Sequence, residues 1–204
     1  MTIKLGVLIS GSGTNLQAII DAIAEGSLDA TIEVVISSRP SAKGLKRAAD
    51  AGIPTMALSK EVYANPETAD EVIASTLRHH EVDYVVMAGY MRKVGPAILM
   101  TFPNAVLNLH PALLPSFPGA HAIDEAFDYG VKVTGVTVHL ANAEYDRGPI
   151  IAQRPVAVEE GWDRDQLEAA IHEVEHELYP EVLRWLAADR VKMDGAGRIH
   201  VLEG

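Results

Sequence analysis

The sequence predicts a doubly wound α/β fold, a mainly parallel sheet with helices on both faces. Three observations carry that prediction. Apolar runs of strand length alternate with stretches of helical spacing from Ile3 to His110. The first run breaks into Ser10-Gly11-Ser12-Gly13-Thr14-Asn15, a glycine-rich turn that opens a helix. Beyond Lys132 the texture changes to two longer strand-like runs and one long amphipathic stretch.

The elements follow in order. Ile3–Ile9 reads as a buried strand, and Leu16, Ile19, Ile20 and Ile23 then recur at helical spacing. Residues 31–37 form the next strand and 42–51 a helix ended by Gly52. A short strand covers 54–58, and a polar helix begins near Glu67. Residues 83–88 make another continuous apolar strand, with a helix near 96–100, and 104–110 completes the set. Strand–helix–strand units close in the right-handed sense, so this alternation builds a Rossmann-like sheet. Residues 132–141 and 149–158 read as strands joined by the loop that carries Asp146, an antiparallel extension of that sheet. A long C-terminal helix over about 164–188 carries Leu167, Ile171, Val174, Leu178, Val182 and Leu186 on one stripe. Asp194-Gly195-Ala196-Gly197 reads as a hairpin turn. With no internal repeat, low-complexity tract or linker, residues 1–204 are expected to form a single domain.

Composition narrows the function classes. A formal charge of −11 argues against a nucleic-acid or anionic-membrane partner, since those are met by basic surfaces. An anionic substrate therefore calls for a local device such as a helix N-terminus. The absence of cysteine excludes disulfides and thiolate chemistry. Residues 5–9 are too short for a signal-peptide core, and no segment approaches transmembrane length, so a cytoplasmic protein is expected.

Asn108 and His110 lie two apart at the end of an apolar run. In a strand they project to the same side, at the C-terminal edge where open α/β sheets place their ligands. A carboxamide, an imidazole and a carboxylate, the last from Asp146, suit acyl transfer: an oxyanion donor, a proton carrier and a group that orients it. By itself Asp146 is a turn residue, and its role depends on reaching His110. Gly11, Ser12, Gly13, Thr14 and Asn15 offer free N–H groups and the positive end of a helix dipole. No Lys-Ser/Thr pair follows, and Leu16 stands where a dinucleotide fingerprint has its third glycine, so a monophosphate fits better than a pyrophosphate. The bland alternative is a capped glycine turn. The loop from His110 to Gly119 carries three prolines and two adjacent leucines, as expected of a segment packed over a pocket. His121 and His139 are read as structural. His172-Glu173-Val174-Glu175-His176 matches the zinc pattern H-E-x-x-H, but the extended motif's glycine and third histidine are missing. Pro180 is also expected to disturb the helix there. No metal is expected.

Taken together, these segments resemble the phosphoribosylglycinamide formyltransferases of purine biosynthesis. The likeness covers residues 7–16, 88–94, 107–119, 135–139, 146–151 and 175–180. It implies transfer of the formyl group of 10-formyltetrahydrofolate, a cosubstrate, to the amine of 5-phosphoribosylglycinamide, by a monomer or homodimer whose partners are these small molecules. It implies that Asn108, His110 and Asp146 are catalytic. Ser12, Gly13, Thr14 and Asn15 match the loop for the substrate phosphate, and Glu175 a residue that binds the ribose hydroxyls. Met91, Arg92, Lys93 and Val94 match the lining of the folate pocket. Ala141, Asn142, Ala143, Glu144, Tyr145 and Asp146 match the loop that closes on the pterin, beside Asn108. On the same resemblance, Asp146 orients His110 and raises its pKa. Pro66 stands where many members place a folate-contacting arginine, Lys93 replaces an aliphatic residue, and His172 occupies a variable substrate-side position. A formylfolate hydrolase would share the triad behind an N-terminal regulatory domain. Methionyl-tRNA formyltransferase adds a C-terminal domain and a basic surface, and a plain phosphate-binding module would need only the Gly11–Asn15 turn.

Overall fold

The computed structural model describes residues 2–204. The elements run β1 (Ile3–Ile9), α1 (Thr14–Ala24), β2 (Ala30–Ser37), α2 (Lys43–Asp50), β3 (Thr55–Ala57), α3 (Lys60–Ala64), α4 (Pro66–His79) and β4 (Tyr84–Met87). They continue through α5 (Pro96–Thr101), β5 (Val106–His110), α6 (Ala122–Tyr129), β6 (Val133–Leu140), β7 (Ile150–Ala157), α7 (Arg164–Ala187), β8 (Val191–Met193) and β9 (Ile199–Val201). Seven strands form one sheet in the order β3-β2-β1-β4-β5-β6-β7. The first five run parallel, while β6 and β7 are antiparallel to their neighbours, as the change of texture predicts. Strand order reverses between β1 and β4, which opens a crevice beyond their C-terminal ends.

Apolar runs rather than alternating patterns make the central strands because both faces of the sheet are covered. Leu5, Val7 and Ile9 of β1 face one core, packed with α1 and α7, and Leu8 faces the other, packed with α4 and α5. The same two-residue alternation divides Val86 from Val85 and Met87 on β4.

Two helices go beyond the sequence reading. Ser59 caps α3 by accepting from the Val62 N–H, and α6 ends on Gly130 at φ 77°. In α7, Asp163 and Gln166 complete a reciprocal cap. Val174, expected on the buried stripe, is only partly buried beside it. The helix continues across Pro180 to Ala187, against expectation. One lost backbone bond costs about 3 kcal/mol. Tyr179, Val182 and Leu183 are fully buried around it, and each such side chain gains about 1.5–3 kcal/mol. Packing outweighs the break. Tyr179 also sends its hydroxyl through the core to the carbonyls of Met87 (3.1 Å) and Leu107 (3.2 Å). Among the described residues, no helix is long and apolar enough to cross a membrane.

Candidate active site

A cleft of about 350 Å³ opens at the C-terminal ends of β1, β4 and β5, the crevice that the strand reversal predicts. Residues 10–15 form one wall, Asn108, His110 and Asp146 another, and His172 and Glu175 of α7 a third.

The glycine turn is built mainly of backbone. Gly13 sits at φ 71° as the residue before α1, and no side chain caps the helix, so its first N–H groups face the cleft. A Cβ on Gly13 would lie 2.6 Å from the Cα of Gly44, so glycine is required there on two counts. Helix α2 clamps the turn from behind. The Gly44 N–H donates to the Gly11 carbonyl (3.1 Å), and Arg47 Nε donates to the Ser12 carbonyl (2.9 Å). Asn15 does not offer its amide to the loop. Its Nδ2 donates instead to Glu175 Oε2 (2.9 Å), which also faces His172 Nδ1 at 2.9 Å. The Glu175 hydrogen bond holds the His172 pKa above the usual histidine range, despite partial burial. Arg39 also lines this wall, a cation that the sequence reading missed.

Side chains from three segments make the opposite wall. Asp146 lies at their centre, at φ 52° in its turn, with Oδ2 accepting from the Gly119 N–H (2.8 Å) and lying 3.5 Å from His110 Nδ1. Its Oδ1 lies 3.4 Å from Asn108 Nδ2 and 3.7 Å from His139 Nε2. Burial works to raise the Asp146 pKa, but His139, the Gly119 N–H and the His110 imidazole together outweigh it and hold the carboxyl below its usual range. Asp146 favours the His110 cation as expected, but the net shift runs the other way. Burial pulls its pKa below the usual histidine range, outweighing the Phe117 carbonyl and the Asp146 carboxylate that favour the cation. Its Nε2–H donates to the Phe117 carbonyl at 2.7 Å, so the proline-stiffened loop covers the imidazole as predicted.

His139, read as structural, belongs to this cluster. It is buried, and it pairs with Asn108 across the antiparallel β5–β6 ladder, Nε2 to Nδ2 at 3.1 Å. The signal was available only through that register. His121 is exposed, 3.7 Å from Asp124 at the start of α6, away from both walls.

The predicted folate segment divides. Met91 lines the main cleft, its N–H held by Ser10 Oγ at 2.9 Å. Lys93 and Val94 border a small hollow with Ala141, Asn142, Glu144, Tyr145 and Asp146. They also border a mainly apolar cavity of about 440 Å³ with Pro66, Leu99, Met100 and Ala143. Arg92 lines none of these. It stacks 4.3 Å over the Tyr63 ring and donates to the Tyr63 carbonyl at 2.6 Å. The two histidines of the H-E-x-x-H stretch stack 6.3 Å apart. His172 turns to the cleft, whereas His176 lines a separate surface cavity.

An uncapped helix N-terminus facing a carboxamide–imidazole–carboxylate cluster is an arrangement suited to acyl transfer onto a phosphorylated substrate. The sequence profile described as Formyl transferase matches residues 3–183. This chain belongs to the formyl transferase family. It is 40% identical over 187 residues to the phosphoribosylglycinamide formyltransferase of Escherichia coli, covering 92% of this chain and 88% of that protein. To the phosphoribosylglycinamide formyltransferase of Bacillus subtilis it is 39% identical over 183 residues, 90% of this chain and 94% of the relative. The crystal structure of glycinamide ribonucleotide transformylase 1 from Symbiobacterium toebii superposes with a TM-score of 0.95. That pair is 45% identical, and the match covers 99% of this chain and 95% of the other.

Proposed function

We propose that this formyl transferase works as one domain over residues 1–204. It moves the formyl group of 10-formyltetrahydrofolate to the amine of 5-phosphoribosylglycinamide, a step of de novo purine biosynthesis in the cytoplasm. The observation that carries the reading is the cleft itself, with the uncapped N-terminus of α1 on one side and Asn108, His110 and Asp146 on the other. The phosphate sits on the N–H groups of Gly11, Ser12, Gly13 and Thr14, and Glu175 takes the ribose hydroxyls. The formylfolate enters past Met91, Lys93 and Val94, and the loop at 141–146 covers its pterin.

The amine attacks the formyl carbon, the C=O π pair moves to oxygen, and a tetrahedral alkoxide bearing an ammonium results. Asn108 and His110 donate to that oxygen, where preorganised donors act most strongly. The His110 N–H must pass from the Phe117 carbonyl to the alkoxide, a distance set by the loop above it. The ammonium proton leaves, the folate nitrogen gains one, and the C–N bond to folate breaks as the carbonyl reforms. Asp146, ionised and 3.5 Å from Nδ1, favours the imidazolium whose Nε2–H meets the alkoxide, and solvent water carries the proton from the ammonium to the folate nitrogen.

The test is incubation with 10-formyltetrahydrofolate, with and without 5-phosphoribosylglycinamide. Formylated glycinamide product that appears only with both substrates is the expected result. Release of free formate in both arms overturns it in favour of a hydrolase.

A further inference from the structure

We infer that His172 is a positioning residue: with Asn15 it pins one oxygen of Glu175, so that the other is presented to the ribose hydroxyls of the substrate. The inference rests on the proposed role of Glu175. Glu175 Oε2 lies 2.9 Å from Asn15 Nδ2, which can only donate, and 2.9 Å from His172 Nδ1. The two donors come from different elements, Asn15 from the first turn of α1 and His172 from one turn earlier on α7. Oε1 accepts no hydrogen bond among the described residues. Nor is it one of the side-chain oxygens sealed in the interior without a partner, so it opens on the cleft that Glu175 lines. A lone glutamate would spread that oxygen over several rotamers, and two donors on its twin hold it in one.

Geometry also fixes the state of the ring. Nδ1 faces Glu175, and Nε2 faces Glu168 Oε1 at 3.4 Å. Carboxylates can only accept, so each nitrogen carries a hydrogen and the ring is the imidazolium. Neither nitrogen is free for the substrate, and His172 acts through Glu175. Its charge has a second use. Glu175 sets a negative group in a cleft that is to hold a phosphate, and the adjoining cation offsets that repulsion. The groups that face the ring bear on its proton. Glu175 and Glu168 hold it, while His176, stacked one turn along α7, opposes it when charged. Among the other cleft residues Asp146 favours it, Arg39 and a charged His110 oppose it, and Asn15 of α1 is neutral. As pH climbs through the raised His172 value the charge is lost. Nδ1 keeps its hydrogen for Glu175, so substrate binding weakens without release of the carboxylate.

The test has two parts. The first does not use the reaction: 15N NMR of the histidine side chains in the ligand-free protein should give His172 a titration midpoint above the ordinary histidine value, and a lower one in Glu175→Gln. A midpoint that Glu175→Gln leaves in place overturns the inference. The second part is calorimetric binding of 5-phosphoribosylglycinamide beside steady-state kinetics. His172→Leu should raise Kd about tenfold, the scale of one charge-assisted hydrogen bond, with kcat within about twofold. His172→Gln, whose amide can donate to Oε2 without a charge, should recover about threefold of that loss. The ratio of its Kd to that of the wild type, in which the substrate's own titrations cancel, should fall towards one as pH rises. In a Glu175→Gln background His172→Leu should add less than about twofold, because it acts through that carboxylate. Additive losses, a loss that falls on kcat, or a Kd ratio flat with pH would overturn the inference. A wild type that does not bind 5-phosphoribosylglycinamide refutes the proposed function and this role with it, whereas binding that His172→Leu leaves unchanged overturns the role alone.

Discussion

Two of the cleft's three walls are made differently. The side proposed to hold the phosphate is consecutive backbone, five residues at a strand-to-helix turn, braced by Gly44 and Arg47 of the next helix. The opposite side is side chain, with Asn108 and His110 from β5, His139 from β6 and Asp146 from a loop, all meeting at one carboxylate. Backbone N–H groups do not titrate and cannot be substituted away, so the first wall binds steadily. The second wall holds protons, and its groups change state during a reaction. On the proposed function, binding and chemistry fall to structures with different sensitivities.

The largest effects should sharpen that contrast. Asn108→Ala, His110→Ala and Asp146→Ala should each lower kcat by about 100-fold or more while the Kd for 5-phosphoribosylglycinamide changes little. Steady-state kinetics beside calorimetric binding would check this. A comparable loss of substrate binding in any of them would merge the walls into one unit.

A change on the phosphate wall should do the reverse. Gly13→Ala places a side chain at φ 71° and against Gly44, a left-handed strain of about 1–2 kcal/mol. That corresponds to a rise of about 5–30-fold in KM for the phosphorylated substrate, with kcat nearly unchanged. A kcat loss larger than the KM rise would show that the loop takes part in the chemistry.

Smaller effects are expected at the folate rim. Pro66 opens α4 at its first turn and lines the apolar cavity with Lys93, whereas Arg92 is committed to Tyr63. Lys93→Ala should therefore raise the folate KM, and Pro66→Arg should lower it. Each change is up to about fivefold, the scale of a solvent-exposed ion pair. Arg92→Ala should be nearly silent, and a larger effect there would move the folate contact back to Arg92.

The smallest effect separates two histidines of the cleft by sign. His110 is lowered by burial, so its unfolded form binds a proton more tightly. Stability is full above 6.5 and falls as pH drops from 6.5 through the lowered folded value. His172 is raised by Glu175, so its contribution is full below 6.5 and is lost as pH climbs through the raised value. Melting temperatures across pH should lose their slope below 6.5 in His110→Gln and above 6.5 in His172→Gln. His176, lowered chiefly by burial, adds a background slope on the acid side.

The first wall was legible because its chemistry is contiguous: a glycine turn between an apolar run and a helical period states its own geometry. So were the antiparallel extension and the shared facing of Asn108 and His110, which need only the two-residue strand period. His139 was missed because its place depends on the register of β5 against β6, a long-range quantity that no local pattern encodes. The net direction of the His110 shift was not legible for a related reason, although the upward pull of Asp146 was. Its Asp146 partner could be anticipated, but the depth of burial depends on how the loop at 111–119 folds over the ring. Arg92 was misplaced because Tyr63, on a helix the sequence pattern did not reveal, takes its guanidinium.

The hydroxyl of Tyr179 reaches the carbonyls of Met87, the last residue of β4, and Leu107, in the neighbouring β5 just before Asn108. It bolts the long helix to the floor of the cleft from beneath. Amide exchange at Leu107 and Asn108 should therefore be as slow as in the deepest core, because releasing them means lifting α7 and unfolding the whole unit. Tyr179→Phe should hasten exchange at those two positions before it alters the rims. Exchange in the loops at 111–119 and 141–146 should by contrast be fast, so that the cleft opens at its rims over a held floor.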